Sequence, residues 1–530
     1  MVASGSGRRR EARPAPAGEP AGGGSRRGSP WLTLVAVALG VAMVALDGTV
    51  VSVANPTISA KLHASLGDLQ WVTNGYLLSL AVALIVGGKL GDRFGRRLIF
   101  SIGIVGFALM SLGCALSSSI GELIAFRAVQ GLAGAMLMPN TLAILRATFP
   151  PEELGRAVGI WGGSTALATA SGPIIGGLLV ENVSWESIFL LNLPLGAVAL
   201  AVTLSLVAET RDAVSGRGFD VPGVAALSGG LFCVIWALIQ TDSHSWTSLY
   251  TLAFLIAGLV LLCSFVVREL YARHPLLPLT LFRSRSLSAG TVLVIMGFIC
   301  LYGVLFFVSL YLQNVHGYSP VGAGVRLLPL TGVFAVSAPL GGVLTTRYGP
   351  RPPLVIGMVL LGIAMLGLHG LQIDSGYSAL WPWFLAIGIA LGLTVVASAE
   401  AIVGNAPVER GGIAGGLQTT ANQLGGVLGT SILGSILAGR VGASLPGEIA
   451  RHGVSGTAAK QLLAAKQSVS QGLAPTTEMH ARVLAASNDA FMAGLHSALL
   501  VAAVISFAGA AVALIVKRGS NAESGAIVGV

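Results

Sequence analysis

Apolar runs long enough to be buried end to end recur along the whole chain, broken by short polar segments. They lie near 31–54, 70–88, 98–118, 122–145, 156–180, 188–207, 221–240 and 249–267, then near 287–312, 321–345, 353–371, 380–403, 412–438 and 492–516. A helix needs about 20 mostly apolar residues to cross a bilayer, so the pattern predicts fourteen spans. The runs are continuous rather than alternating, which excludes a β-barrel. Composition agrees: 54% of residues are hydrophobic, 10% are charged and mean hydropathy is +0.81. A soluble domain carries about 25% charged residues.

The cations orient the spans. With the N-terminus inside, 23 of the 31 Lys+Arg fall on inner segments. The outer segments hold Lys61 and five more, all in the long 439–491 segment, while Arg127 and Arg326 lie within spans. Long loops are largely exempt from the positive-inside rule, so both termini are expected in the cytoplasm and the protein in the cell membrane. The net charge of +9 therefore reports topology and lipid contact, not nucleic acid. The first 30 residues, rich in Arg, Gly and Pro, predict a disordered basic tail. Arg8, Arg9 and Arg10 look like a twin-arginine signal, but the run from Trp31 is too long for a signal core and is expected to be retained. Cys114, Cys233, Cys263 and Cys300 lie in apolar runs without metal-type spacing and read as buried hydrophobes; no metal or cofactor is expected.

One turn is written twice. GGKLGDRFGRR (87–97) and GGVLTTRYGPR (341–351) share a frame 254 residues apart. Both join spans on the inner side. An internal repeat of this kind marks transporters built from two six-helix halves. The chain divides into a tail (1–30), a first half (31–207), an inserted helix pair with a cytoplasmic amphipathic segment (208–286), a second half (287–516) and a tail (517–530). In the first turn Gly88 and Gly95 permit close approach. Asp92, with Arg93 and Arg96 beside it, is placed to accept from an arginine or meet a helix N-terminus of the other half. The plainer reading is that the cations, with Arg347 in the twin, only anchor the turn. Thr346 replaces the acid in the twin, so any acid latch is one-sided.

Three polar features interrupt the spans. Asp47 lies about two-thirds of the way along the first, where an unpaired acid costs several kcal/mol. Arg127 in the fourth lies at nearly equal depth, at ~1.5 Å rise per residue. A direct or water-mediated Asp47–Arg127 pair is thus allowed, either as a static tie or as a proton-responsive one, and Gln130 lies one turn away. In the fifth span ASGPIIGGLL (170–179) places Pro173 among Gly172, Gly176 and Gly177, permitting bending and close packing. Glu400 is either an interfacial acid or a second coupling acid. Gln418 and Asn422, with Thr419 and Gln423, form a stripe that binds substrate or ties helices. Asn140 and Gln313 complete the candidate cavity residues.

These motifs together resemble the major facilitator superfamily, and within it the fourteen-span drug:proton antiporter branch. The resemblance covers Trp31 to about Lys517. The 87–97 turn resembles the family's inner-loop motif, LDGTVVSVANP (46–56) its first-span signature, the stretch around Arg127 its fourth-helix arginine motif, and ASGPIIGGLL its antiporter motif. WESIFLLNLPLG (185–196) and YLQNVHGYSPVGAGVRLLPL (311–330) also look like this branch. Glu186 and Asn422-Gln423 depart from it, since an arginine is usual at or beside each place. The resemblance implies an all-α major facilitator fold and an alternating-access exporter of lipophilic compounds driven by the proton gradient, working as a monomer. A facilitator or importer of small metabolites on the same fold is the alternative. No G-x-x-x-x-G-K-[ST], G-x-S-x-G or H-E-x-x-H motif occurs, so neither an ATP-driven pump nor a membrane enzyme is expected.

Overall fold

The computed structural model describes residues 29–211, 220–241, 244, 247–272, 275–407, 411–474 and 481–517. Nearly all of both expected tails lies outside these residues. Fourteen helices among them are long and apolar enough to cross a membrane. They are α1 Pro30–Leu62, α2 Leu66–Phe94, α3 Arg96–Ala115, α4 Ile120–Thr148, α5 Pro151–Asn182, α6 Ser187–Leu206, α7 Val221–Gln240, α8 Leu249–Tyr271, α9 Arg285–Val315, α10 Pro320–Tyr348, α11 Arg351–His369, α12 Tyr377–Val403, α13 Gly411–Arg451 and α14 Ala481–Ala513.

The apolar runs marked the spans well and their ends less well. Several helices overrun the hydrophobic stretch because backbone hydrogen bonding continues past it. Polar side chains then close the termini. Ser65 and Asp68 form a reciprocal capping box at the start of α2. Ser119, Ser248, Ser284 and Ser319 accept from the first turns of α4, α8, α9 and α10. The expected 439–491 loop is mostly helical. α13 runs on to Arg451, short helices follow at Gly456–Ala464 and Lys466–Val469, and α14 begins at Ala481. His452 Nε2 and Asp489 Oδ2, 2.6 Å apart, tie the two extensions together.

The amphipathic segment expected at the end of 208–286 is partly buried. Its residue His274 lies outside the described part, but Leu276 and Leu281 are buried. Leu281 packs with Leu287, Ile402, Ala406 and Ala414. The Glu269 carboxylate accepts from the Leu276 and Leu277 N–H groups at 3.1 and 3.0 Å. With two of its backbone donors collected by an acid, the segment packs onto the second half.

The two halves repeat one packing plan. α2 lies on α4 and α1 on α5; in the second half α10 lies on α12 and α9 on α13. Between the halves α2 meets α13 and α5 meets α10. α7 and α8 pack on each other, and α7 touches α2 and α13.

The twin turns share a backbone device. Gly95 and Gly349, at equivalent positions, have φ of 120° and 82°, a region that favours glycine. Gly87 and Gly341 let their helices cross directly on backbone. A Cβ at Gly341 would meet the Gly392 carbonyl at 2.8 Å, and one at Gly87 would run into the Ala135 carbonyl. We call the end carrying these turns the near end, and the opposite end the far end.

Candidate functional site

The site is built around Asp47, which α1 places at full burial. Arg127 Nη1 of α4 donates to Asp47 Oδ2. Gln130 Nε2 and Asn192 Nδ2 each donate to Asp47 Oδ1 at 3.1 Å. A carboxylate only accepts, and this set supplies a guanidinium and two amides. Arg127 is as tightly held. Its Nε donates to the Val72 carbonyl at 3.1 Å and its Nη1 to Gln130 Oε1 at 2.8 Å. Its Cζ lies 4.2 Å from the Tyr76 ring centroid and 5.7 Å from that of Phe189, geometry that favours a cation over a ring face. Ser111 Oγ accepts from Gln130 and Asn192 at 3.2 and 2.9 Å. The pairing that equal depth allowed is therefore direct.

The fifth-span motif seats two helices at once. Pro173 has no N–H, so the Thr169 carbonyl loses its usual helical partner. Thr49 Oγ1, two residues after Asp47, donates to that carbonyl at 3.2 Å. Gly172 lies hard against Thr49, and a Cβ at Gly176 would meet the Val50 carbonyl at 2.8 Å. Gly177 faces the other half, where a Cβ would meet the Pro320 carbonyl at 2.6 Å. Gly324 of α10 rests in turn on the Pro173 carbonyl. The motif thus joins the Asp47-bearing helix to α10.

Hydrogen bonds between the halves cluster toward the far end. Asn74 Nδ2 donates to Ser431 Oγ at 2.9 Å, and Thr430 Oγ1 donates to Asn74 Oδ1 at 2.6 Å. Gln70 Nε2 donates to the Thr430 carbonyl at 2.8 Å, and Gln313 Nε2 to the Val53 carbonyl at 3.0 Å. Thr331 Oγ1 donates to the Ala170 carbonyl, and the Val321 N–H to Glu181 Oε2. Toward the near end a Cβ at Gly159, Gly162 or Gly163 of α5, or at Gly415 or Gly416 of α13, would meet no atom within 4 Å. Among the described residues the halves close at the far end and part toward the near end.

The remaining predicted residues fall in different places. Asp92 pairs with Arg96 of its own turn at 2.9 Å. Among the described residues it makes no bond to the other half, because the halves are apart where it sits. Arg93 and Arg347 are exposed beside Phe94 and Tyr348. Glu209 holds the turn, accepting from the Arg97 and Leu98 N–H groups at 3.2 Å each. Glu400 lines a groove of about 530 Å³ with Thr345, Thr346 and Pro350, beside the twin turn and in the other half from Asp47. Asn140 is spent on α2, donating to the Gly87 carbonyl at 3.1 Å. Gln313 ties the halves, and Gln130 belongs to the Asp47 set. Gln418 and Asn422 are half-buried on α13, and Asn422 Oδ1 is buried with no partner among the described residues. Arg326 lies between the Tyr318 and Tyr377 rings.

Sequence reasoning missed Asn192, Ser111, Tyr76 and the Asn74–Thr430–Ser431 tie. An asparagine inside the apolar run LLNLPLG was the available signal for Asn192. The others look like ordinary small polar or aromatic residues of a span.

Two helix bundles of one plan, the first enclosing a buried ion pair, are the architecture of a membrane transporter, and comparison agrees. The model of the Major Facilitator Superfamily matches residues 37–430. The chain belongs to the major facilitator superfamily and is a multi-pass membrane transporter. It is 46% identical over 502 residues to the tetracenomycin C resistance and export protein of Streptomyces glaucescens, covering 94% of this chain and 93% of that one. It is 34% identical over 483 residues to the multidrug resistance protein Stp of Mycobacterium tuberculosis, covering 89% of each. It is 35% identical over 420 residues to the methyl viologen resistance protein SmvA of Salmonella typhimurium, covering 78% and 84%. Among solved structures, a bacterial homologue of the human lysosomal transporter Spinster, crystallised inward-facing, superposes with a TM-score of 0.61 at 21% identity over 92% of this chain and 98% of that one. That likeness concerns the fold alone.

Proposed function

We propose that this protein exports hydrophobic drugs or antibiotics across the cell membrane in exchange for protons, and that it protects a producer from its own product. The export and resistance roles of the relatives support the substrate class. The observation that carries the coupling is the Asp47–Arg127 pair, buried in α1 and α4 and seated through Thr49 on the Pro173 motif. The near end faces the cytoplasm in this reading, because the inner segments hold 23 cations. This state is then inward-open.

A proton reaching Asp47 removes one charge of the pair, so Arg127 loses its counter-ion and the α1–α4 contact changes. α1 and α10 share the α5 seat, so a change at Asp47 reaches the contact between halves. Substrate leaves outward from the protonated form. The protonated, substrate-free form then turns inward, and loss of the proton to the cytoplasm restores the pair.

The test is accumulation of a fluorescent lipophilic cation in everted vesicles, with and without a proton gradient. Gradient-dependent transport that disappears in Asp47→Asn supports the reading. Transport that persists without a gradient and in Asp47→Asn would favour a facilitator.

A further inference from the structure

The connection between α13 and α14 plays no part in the mechanism above, yet one of its residues stands between the halves. Gln471 follows the short helix Lys466–Val469 and is only 2% exposed. Its side chain reaches the first half. Ser59 Oγ, near the end of α1, donates to Gln471 Oε1 at 2.5 Å, and Gln471 Nε2 donates to the Ala64 carbonyl at 3.0 Å. Its backbone stays with the second half, where Asn314 Nδ2 of α9 donates to the Gln471 carbonyl at 2.7 Å. One buried residue thus spans the seam at the far end.

Both sides of this contact are shaped for it. On the first half, α1 ends at His63 with φ 51°, the one positive φ outside glycine among the described residues. That turn folds Ala64 back onto the helix, where its N–H donates to the Ser59 carbonyl at 3.1 Å. On the second half, Gly472 has φ 80°, and a Cβ there would meet Val315 Cγ2 at 3.1 Å, so glycine is what lets the chain turn away directly after Gln471. The connection is otherwise fixed to its own half. Leu462 and Val469 are buried, and the two short helices pack on α13 and α14. Ser487 Oγ of α14 donates to the Leu473 carbonyl at 2.9 Å. Apolar packing moves with the half that carries it, whereas hydrogen bonds to the other half are exchanged for water at small net cost.

We propose that residues 452–473 form a cap that travels with the second half, and that Gln471 is its latch, a positioning residue that sets how often the far end opens. Asn74, Thr430 and Ser431 tie α2 to α13 within the bundle. Gln471 ties α1 from the connection, so the far end parts only when both ties are released. Outward release in the proposed export passes through that step. The latch itself concerns the movement of the two halves and holds whatever ion or substrate drives it.

The test is thiol labelling of the full chain in nanodiscs with N-ethylmaleimide, without substrate or gradient. Ser431, fully buried at the seam, is replaced by cysteine, and Cys114, Cys233 and Cys263 by alanine. Cys300 is kept: it is fully buried within the second half beside Ser506, and reports loosening of the fold. In this background Gln471→Leu, which keeps the bulk and deletes both bonds to the first half, should raise the labelling rate at position 431 roughly tenfold, with Cys300 unchanged. Ser59→Ala removes one of the two bonds and should give a smaller rise at the same position. Equal rates at position 431 with Gln471 and Gln471→Leu would overturn the latch. So would a parallel rise at position 431 and Cys300, which would mean a loosened fold and not a parted seam.

Discussion

The hydroxyl of Thr49 donates to the Thr169 carbonyl at 3.2 Å, and that carbonyl is free because Pro173 follows it by four residues. A helix defect in α5 is thus satisfied by the residue two places after the buried acid of α1. The same hydroxyl lies 3.2 Å from the Leu46 carbonyl, and removing it leaves the part-buried Thr169 carbonyl without this donor. Thr49→Val, close in shape, should reduce transport while Thr49→Ser retains it. Efflux rates at matched expression decide between this and a purely steric seat.

Asp47 and Arg127 should behave as a pair in stability and as individuals in transport. Asp47→Asn leaves a buried guanidinium without its counter-ion, and breaking a buried pair costs about 3–5 kcal/mol. The double variant Asp47→Asn/Arg127→Gln should regain much of the thermal stability lost in Asp47→Asn, and none of the proton-driven transport. Arg127→Lys should not rescue either, since an ammonium cannot reach Val72, Asp47 and Gln130 together. Melting in detergent and vesicle efflux, measured side by side, separate the two effects.

Gly177 controls the closed far end. A Cβ there would lie 2.6 Å from the Pro320 carbonyl, a separation the backbone of α10 can relieve only by moving away. Gly177→Val should hold the far end apart. In Asn74→Cys/Ser431→Cys protein, whose parent side chains bond at 2.9 Å, oxidative cross-linking should be efficient with Gly177 and fall at least several-fold with valine. Unchanged cross-linking would remove Gly177 from the closure.

His316, in the connection between α9 and α10, supplies a pH dependence. Burial first, and the Arg326 charge second, hold its imidazole below the ordinary 6.5. The ring stacks on Tyr318 at 5.5 Å and meets Tyr311 edge-on at 4.6 Å. With the folded value lowered, the unfolded chain takes up the proton first. Stability is therefore full above about pH 6.5 and falls as pH drops toward the lowered value. Melting temperature should decline from pH 7.5 to 5.5, and the decline should be smaller in His316→Gln.

Much of this was legible in the chain itself. Fourteen spans follow from the cost of leaving apolar runs in water and backbone groups unpaired in lipid, and those costs act locally. The pairing of Asp47 with Arg127 could be anticipated because helical rise turns residue count into depth. The repeat of GGKLGDRFGRR as GGVLTTRYGPR foretold a shared turn, to which the structure adds the positive φ of Gly95 and Gly349.

What tertiary structure alone decided is which polar side chains meet. Asn140 and Gln313 read as cavity residues, yet each is committed to a backbone carbonyl across a helix contact. Asn192 and Ser111, from α6 and α3, complete the Asp47 set. Asp92 stays within its own turn because the halves are parted at that end. These outcomes depend on helix rotation and on the packing of residues far apart in sequence, where a difference of one residue in register turns a side chain from cavity to neighbour. Span and depth are properties of one helix in a bilayer, which sequence sets; partner and conformational state belong to the packed bundle.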